Sequence, residues 1–322
     1  MTKRVLVTGA TGFVGRILCE ALTQRGVRVR TATRAPCAVS ESDAEICVVG
    51  EIGSSTQWDR GLDGVDWVIH LAARVHVLKG KERNSAAFHE VNALGTGRLA
   101  AAAARSGVAQ FVYLSSVKVN GEATLGAPYS ASDQPRPADS YARSKWEGEI
   151  AVRDASLGSQ MQYSVVRSPL VYGAGVRANF LRLMRWIDRG IPLPFAAIEN
   201  RRSLISVWNL ADVLIRVAEH PAASGHVWMV SDGSDISTPD LVRALGRAMG
   251  RQVRLVSVPV RLLRLAGALG AGRAEIERLC GSLVVDASVT CSQLDWTPPV
   301  TQQEGVQQTV AWYLAEGRSH AR

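Results

Sequence analysis

Short apolar runs of strand length stand at residues 4–8, 27–33, 46–49, 66–71, 110–114 and 163–167. Between them, segments 13–24, 88–105 and 140–155 repeat their apolar positions at the helical period. Strands that alternate with helices of this length specify βαβ units, because parallel strands need a crossover and a helix supplies it. The first half therefore reads as α/β, a doubly wound parallel sheet. After Arg167 the rhythm breaks at Ser168-Pro169, Gly173-Ala174-Gly175 and Ile191-Pro192-Leu193-Pro194, with helices expected over 179–189 and 209–220. A strand at 226–230 is expected to return to the sheet. The helix after it opens at Ser237-Thr238-Pro239-Asp240, a capping serine followed by an early proline.

The chain has 322 residues, 47% hydrophobic and 20% charged, which excludes disordered, collagen-like and disulfide-stapled classes. No run approaches ~18 uninterrupted apolar residues, so no membrane span is expected. Met1-Thr2-Lys3-Arg4 and the run Val5-Leu6-Val7 are too short for a signal peptide, and a cytoplasmic location is the expectation. Cysteines 19, 37, 47, 280 and 291 are odd in number and form no CxxC pair; they read as reduced thiols, and no metal site is expected. The net charge of +8 comes from scattered arginines, with lysine only at 3, 79, 81, 118 and 145. Without a basic run or interleaved aromatics, that excess suits anionic small ligands such as phosphates better than nucleic acid.

Thr8-Gly9-Ala10-Thr11-Gly12-Phe13-Val14-Gly15 follows the first strand and opens the first helix. Glycine there permits a tight turn, close approach of backbone N–H groups to a pyrophosphate, and packing of helix on sheet, while the helix N-terminus adds its positive dipole end. The spacing is GxxGxxG, and the reading is a Rossmann-type dinucleotide site. The second strand ends Thr31-Ala32-Thr33-Arg34, with an arginine where an acidic residue would hold a ribose 2′-OH. This favours NADP(H), with NAD(H) as the other option. Glu51-Ile52, after the third strand, is expected near the adenine edge.

Tyr141 and Lys145 stand four apart on a helix that Asp139-Ser140 opens, so phenol and ammonium share a face. A free phenol is a poor acid–base catalyst near neutrality, and the neighbouring lysine together with a positive nicotinamide ring above it is expected to favour phenolate character. Ser115-Ser116 ends the strand at 110–114, where open α/β sheets hold their ligands, and Ser116 is the candidate to bond a substrate oxygen with Tyr141.

With these residues assembled, the chain resembles the extended short-chain dehydrogenase/reductase family of NAD(P)-dependent sugar-nucleotide epimerases, dehydratases and reductases. The carriers are TGATGFVG (8–15), HLAA (70–73), EVNALGT around Asn92, LSSVKVNGE (114–122), YARSK (141–145), VRSPLVYGAG (166–175) and RRSLISVWNLADV (201–213). The resemblance implies that Ser116, Tyr141 and Lys145 are catalytic and that Asn92 supports their helix. It implies cofactor contacts at Gly9, Thr11, Gly12, Phe13, Val14, Gly15, Arg34, Glu51, Ile52, Leu71, Ala72, Ala73, Asn92, Lys145 and Ser168. Substrate contacts are implied for Ser116, Tyr141, Asn179, Arg202 and Arg278, the last three toward a sugar diphosphate, a task to which guanidinium is suited by bidentate pairing. Asn120 departs from the family's frequent aromatic, and Arg34 from the acidic residue common in its epimerases. The implied organisation is a dinucleotide-binding domain over 1–168, rejoined by 203–232, with 169–202 and 233–322 forming a smaller α/β region for the sugar nucleotide.

The expected activity is NADPH-dependent 4-keto reduction of a UDP-4-keto-6-deoxy-hexose of the HexNAc type, in bacterial surface polysaccharide synthesis. The alternative is a UDP-hexose or UDP-HexNAc 4-epimerase with tightly bound NAD; a remote one is a nucleotide-sensing protein without turnover. A dehydratase is disfavoured because the stretch around the serines and Val117-Lys118 offers no carboxylate pair. The expected partner is a UDP-sugar, with a homodimer left open.

Overall fold

A computed structural model describes residues 2–36, 44–75 and 81–317; Cys37 and Lys79 lie outside the described residues. The first half runs β1 (Arg4–Thr8), α1 (Phe13–Gln24), β2 (Arg28–Thr33), β3 (Glu45–Val48), α2 (Asp59–Leu62), β4 (Trp67–His70), α3 (Lys81–Phe88), α4 (Thr96–Arg105), β5 (Gln110–Ser116), α5 (Ser140–Ser156) and β6 (Gln162–Ser168). The second half adds β7 (Leu170–Tyr172), α6 (Ala178–Asp188), β8 (Arg202–Ser206), α7 (Val207–Glu219), β9 (His226–Met229), β10 (Asp235–Ile236), α8 (Thr238–Ala248), α9 (Val260–Ala266), α10 (Arg273–Cys280), α11 (Ser288–Gln293) and α12 (Gln302–Trp312).

Seven strands form one parallel sheet in the order β3-β2-β1-β4-β5-β6-β9. Chain order reverses between β1 and β4, the point beyond the strand C-termini at which doubly wound sheets form their ligand crevice. The strands read as continuous apolar runs because helices cover both faces: Val5, Leu6 and Val7 are all fully buried, Val5 and Val7 against α1 and α7, Leu6 against the α4 side. The expected helix over 88–105 is divided, His89–Gly95 winding as a π-helix before α4 begins. Asp139 and Ser237 cap α5 and α8 with side-chain oxygens, as their sequences predict.

Segment 203–232 is shared between the two layers. Within it, β8 pairs with β7 and β10 in a small three-stranded sheet, whereas α7 packs beside α1 on the large sheet and β9 extends that sheet in parallel with β6. A second core, built on Phe180, Met184, Leu204, Val242, Leu245 and Val306, holds α6, α8 and α12 together. Residues 282–285 stitch this region to the loop after β5: Thr124 N donates to Ser282 O at 2.9 Å, Tyr129 N to Val284 O at 2.8 Å, and Ser203 N to Leu283 O at 2.9 Å. No helix among the described residues is long and apolar enough to cross a membrane.

Candidate active site

The glycine loop bends at the crevice between β1 and β4. Gly9 has φ +70°, and a Cβ there would lie 2.9 Å from the Ala72 nitrogen. A Cβ at Gly15 would overlap the Gly9 carbonyl oxygen. Gly12 is the N-cap of α1 with no side-chain hydrogen bond, which leaves the first-turn N–H groups open to a ligand beside exposed Thr11. Phe13 and Val14 turn inward toward the two cores, and Gly175 approaches the Phe13 ring. On the facing wall Leu71 N donates to Thr8 O at 3.3 Å and Ala72 N to Thr8 Oγ1 at 3.1 Å, while Ala73 follows half-buried. This glycine cradle and open helix end fit the pyrophosphate of a dinucleotide.

Arg34 and Glu51 meet past the ends of β2 and β3. Their side chains pair at 3.3 Å, and each is 76% exposed. Ile52 packs at Gly95, where a Cβ would come within 2.9 Å of its methyl group. Asn92, fully buried in the π-helical turn, accepts from Arg74 N at 2.7 Å and donates to Arg74 O and to Ser144 Oγ, both at 3.0 Å. Ser144 Oγ in turn donates to Tyr141 O at 2.8 Å, so Asn92 joins the crevice wall to α5.

Strand alternation separates the two serines at the end of β5. Ser115 turns to the buried Glu149, whereas Ser116 hydrogen-bonds with the Tyr141 phenol. Ser168 sits opposite Ser116 on β6. Lys145 is 2% exposed, its ammonium 4.1 Å from the centre of the Tyr113 ring. The fold thus gathers Ser116, Tyr141 and Lys145 at the strand-end crevice. Burial pushes the Tyr141 phenol up to about 12, assisted by Asp139 and opposed by the Ser116 hydroxyl. Burial also pulls Lys145 down to about 7, with Glu149 opposing. In the protein's own residues alone, desolvation and Asp139 oppose the phenolate character expected from the lysine and the nicotinamide ring.

Arg202 and Arg278 come together, and no hydrogen bond or ion pair among the described residues joins either to Asn179. Arg202 Nη1 donates to Arg278 O at 2.5 Å and to Gly281 O at 3.0 Å, and Arg278 Nε lies 3.7 Å from Glu122 Oε2. Asn179 stands exposed in the first turn of α6, beside Ala178 at φ +53°.

Several residues at the site carry no simple sequence signal. Lys118 Nζ donates to Asp139 Oδ2 at 2.7 Å and to Glu122 Oε1 at 2.8 Å, bridging the cap of α5 to the Arg278 corner. Asp139 therefore stands near Tyr141, and both it and Glu122 are engaged by the Lys118 ammonium. His70 lies between Thr8 Oγ1 at 2.6 Å and Thr96 Oγ1 at 2.9 Å, and burial holds it down to about 3, neutral at physiological pH. Glu149 was within reach of the sequence, since it continues the four-residue spacing of Tyr141 and Lys145, although it is not among the candidates above. Its partner Arg167 was not, because it arrives from the adjacent strand.

Residues 5–231 match the model of the NAD dependent epimerase/dehydratase family. The chain is 42% identical over 318 residues, 98% of it and 96% of the relative, to a UDP-glucose 4-epimerase of Vibrio cholerae. It is 32% identical over 250 residues, 78% of it and 70% of the relative, to a dTDP-4-dehydrorhamnose reductase of Mycolicibacterium smegmatis. The crystal structure of a UDP-glucuronic acid 4-epimerase from Bacillus cereus in complex with NAD superposes with a TM-score of 0.79 at 19% identity, covering 97% of this chain and 99% of that one.

Proposed function

The chain belongs to the NAD dependent epimerase/dehydratase family, within the extended short-chain dehydrogenases/reductases, and from that premise we propose that it works at C4 of a UDP-hexose. The direction we favour is NADPH-dependent reduction of a 4-keto-6-deoxy sugar nucleotide of the HexNAc type. The observation that carries it is the charge at the end of β2, where an arginine stands in place of the acidic residue that would hold a ribose 2′-OH. Arg34 at the end of β2 supports the 2′-phosphorylated cofactor by charge.

The glycine cradle, Arg34 and the crevice wall would hold the dinucleotide, whose nicotinamide supplies hydride when bound. Ser116 donates a hydrogen bond to the substrate oxygen and fixes it near Tyr141. Tyr141 delivers its proton to that oxygen as negative charge develops there, and Lys145, buried one turn below, restores the proton. Arg202 and Arg278 neutralise the diphosphate at the far end of the substrate. A homodimer in the cytoplasm is compatible with this chemistry and is not required by it.

The second reading is 4-epimerisation, favoured by the 42% identity to the Vibrio cholerae enzyme over nearly its whole length. Ser116, Tyr141 and Lys145 serve both readings, and cofactor turnover separates them. The reductase should oxidise NADPH only when a 4-keto UDP-sugar is supplied. Conversion of a UDP-hexose to its C4 epimer with no added cofactor, and no NADPH oxidation by any 4-keto sugar, would overturn the first reading in favour of the second. Mass spectrometry of ligands released from the purified protein identifies the cofactor independently.

A further inference from the structure

Tyr141, Lys145 and Glu149 follow at four-residue spacing, so one face of α5 carries phenol, ammonium and carboxylate in succession. A carboxylate one turn from a buried ammonium is placed to close an ion pair with it. Glu149 does not. Its Oε1 accepts from Arg167 Nε at 3.0 Å and from the Ser115 hydroxyl, and its Oε2 accepts from Arg167 Nη2 at 2.6 Å. Arg167 Nη1 donates to Asn120 Oδ1 at 3.1 Å, and Asn120 Nδ2 is anchored on Ser130 O at 3.1 Å. Arginine and glutamate are 4% and 7% exposed, and no ion pair joins Glu149 to Lys145 among the described residues. The Lys145 ammonium lies instead over the Tyr113 ring.

Resting on the reaction proposed above, we propose that Arg167, braced by Asn120, is a positioning residue that clamps Glu149 away from Lys145 and so keeps the ammonium available to Tyr141. A fork of planar donors matches a carboxylate better than a lysine does, so the guanidinium wins the competition for Glu149. Asn120, which stands where the family often has an aromatic, thereby acquires a physical task in this chain. The charged and titratable groups facing Lys145 are Tyr141 and Glu149 on its own helix, His70 on β4, Tyr113 on β5 and Arg167 behind Glu149 on β6. Of these, Glu149 is the carboxylate that opposes the effect of burial on Lys145.

The test follows the Lys145 ammonium directly, by NMR of the full chain labelled at lysine Cε, since the sequence has only five lysines. Lys145→Arg assigns the signal. Arg167→Met should free Glu149 to capture Lys145, raising its titration midpoint and lowering NADPH-dependent turnover about tenfold, mid-range for coupled contacting residues. Glu149→Gln alone should lower the midpoint. Glu149→Gln added to Arg167→Met should lower the midpoint again and recover turnover, an outcome that merely structural damage would not give. A folded Arg167→Met protein with an unmoved midpoint, or a double variant no more active than Arg167→Met, would overturn the clamp. Should Arg167→Met fail to fold, Asn120→Ala loosens the same guanidinium and should move the midpoint upward by less; an unmoved midpoint in that variant would overturn the clamp equally. The titration needs no substrate, so midpoints that move as stated in a protein that turns over no 4-keto sugar would sink the proposed reaction and keep the clamp.

Discussion

Two ion clusters flank the Tyr141 helix, and they differ in how much water they retain. At its capped end Lys118 bridges Asp139 and Glu122, with 26%, 38% and 36% of the three side chains exposed. Two turns past Tyr141, Glu149 and Arg167 are almost wholly enclosed. Water screens the first cluster, so it contributes little to stability, yet Asp139 lies close enough to disfavour the phenolate of Tyr141. The second cluster has no solvent to replace a lost partner, so breaking it strands a charge. The capped end thus bears mainly on the phenol, and the enclosed end mainly on the fold and on Lys145.

Changing the residue between the two clusters should have the largest effect. Tyr141→Phe removes the proposed proton donor and leaves both clusters intact, so kcat should fall by about 10²–10⁴-fold with nucleotide binding retained. A variant that keeps more than about a tenth of wild-type kcat would show that neither cluster surrounds the acid. The comparison itself is tested by breaking each cluster once. Arg167→Ala should cost about 3–5 kcal/mol in denaturant unfolding, as a buried pair losing one member does. Comparable losses for Arg167→Ala and Lys118→Ala would erase the distinction drawn from burial.

Away from the clusters, Arg34→Ala should remove most of a preference for NADPH over NADH of about 1.5–3 kcal/mol, measured by titrating both cofactors. Equal affinities in the wild type would instead favour the epimerase reading. Lys118→Ala should have the smallest effect on stability, at most about 1 kcal/mol near neutrality. Its pH dependence carries a definite sign. Lys118 helps hold the Asp139 carboxyl below its usual range, so that stabilisation is present above the unfolded carboxylate pKa and is lost as pH falls through the lowered one. The difference between wild type and Lys118→Ala should therefore vanish in acid; a difference that grows on acidification would contradict the pairing.

Local patterns carried much of the fold and part of the site. Alternating strands and helices gave the doubly wound sheet, because parallel strands require crossovers. The GxxGxxG turn marked the tight bend after β1, because only glycine allows Gly9 to lie against Ala72. Four-residue spacing put Tyr141 and Lys145 on one face of a helix. What the chain could not display locally was the partner of each charge. Arg167 reaches Glu149 from β6, Lys118 reaches Asp139 across 21 residues, and Arg202 meets Arg278 across 76. Segment 203–232 likewise divided between two sheets because pairing of β8 with β7 and β10 is a non-local choice.

The sequence by itself thus determined the secondary-structure rhythm, the glycine turn after the first strand and the candidate serine, tyrosine and lysine, all properties of short-range periodicity and backbone sterics. Only the tertiary structure decided the burial that shifts the tyrosine and the lysine and the pairing of the carboxylates around them. Desolvation and Coulomb interactions depend on what lies within a few ångströms in space, and the same tyrosine four residues before the same lysine would titrate differently on an exposed helix.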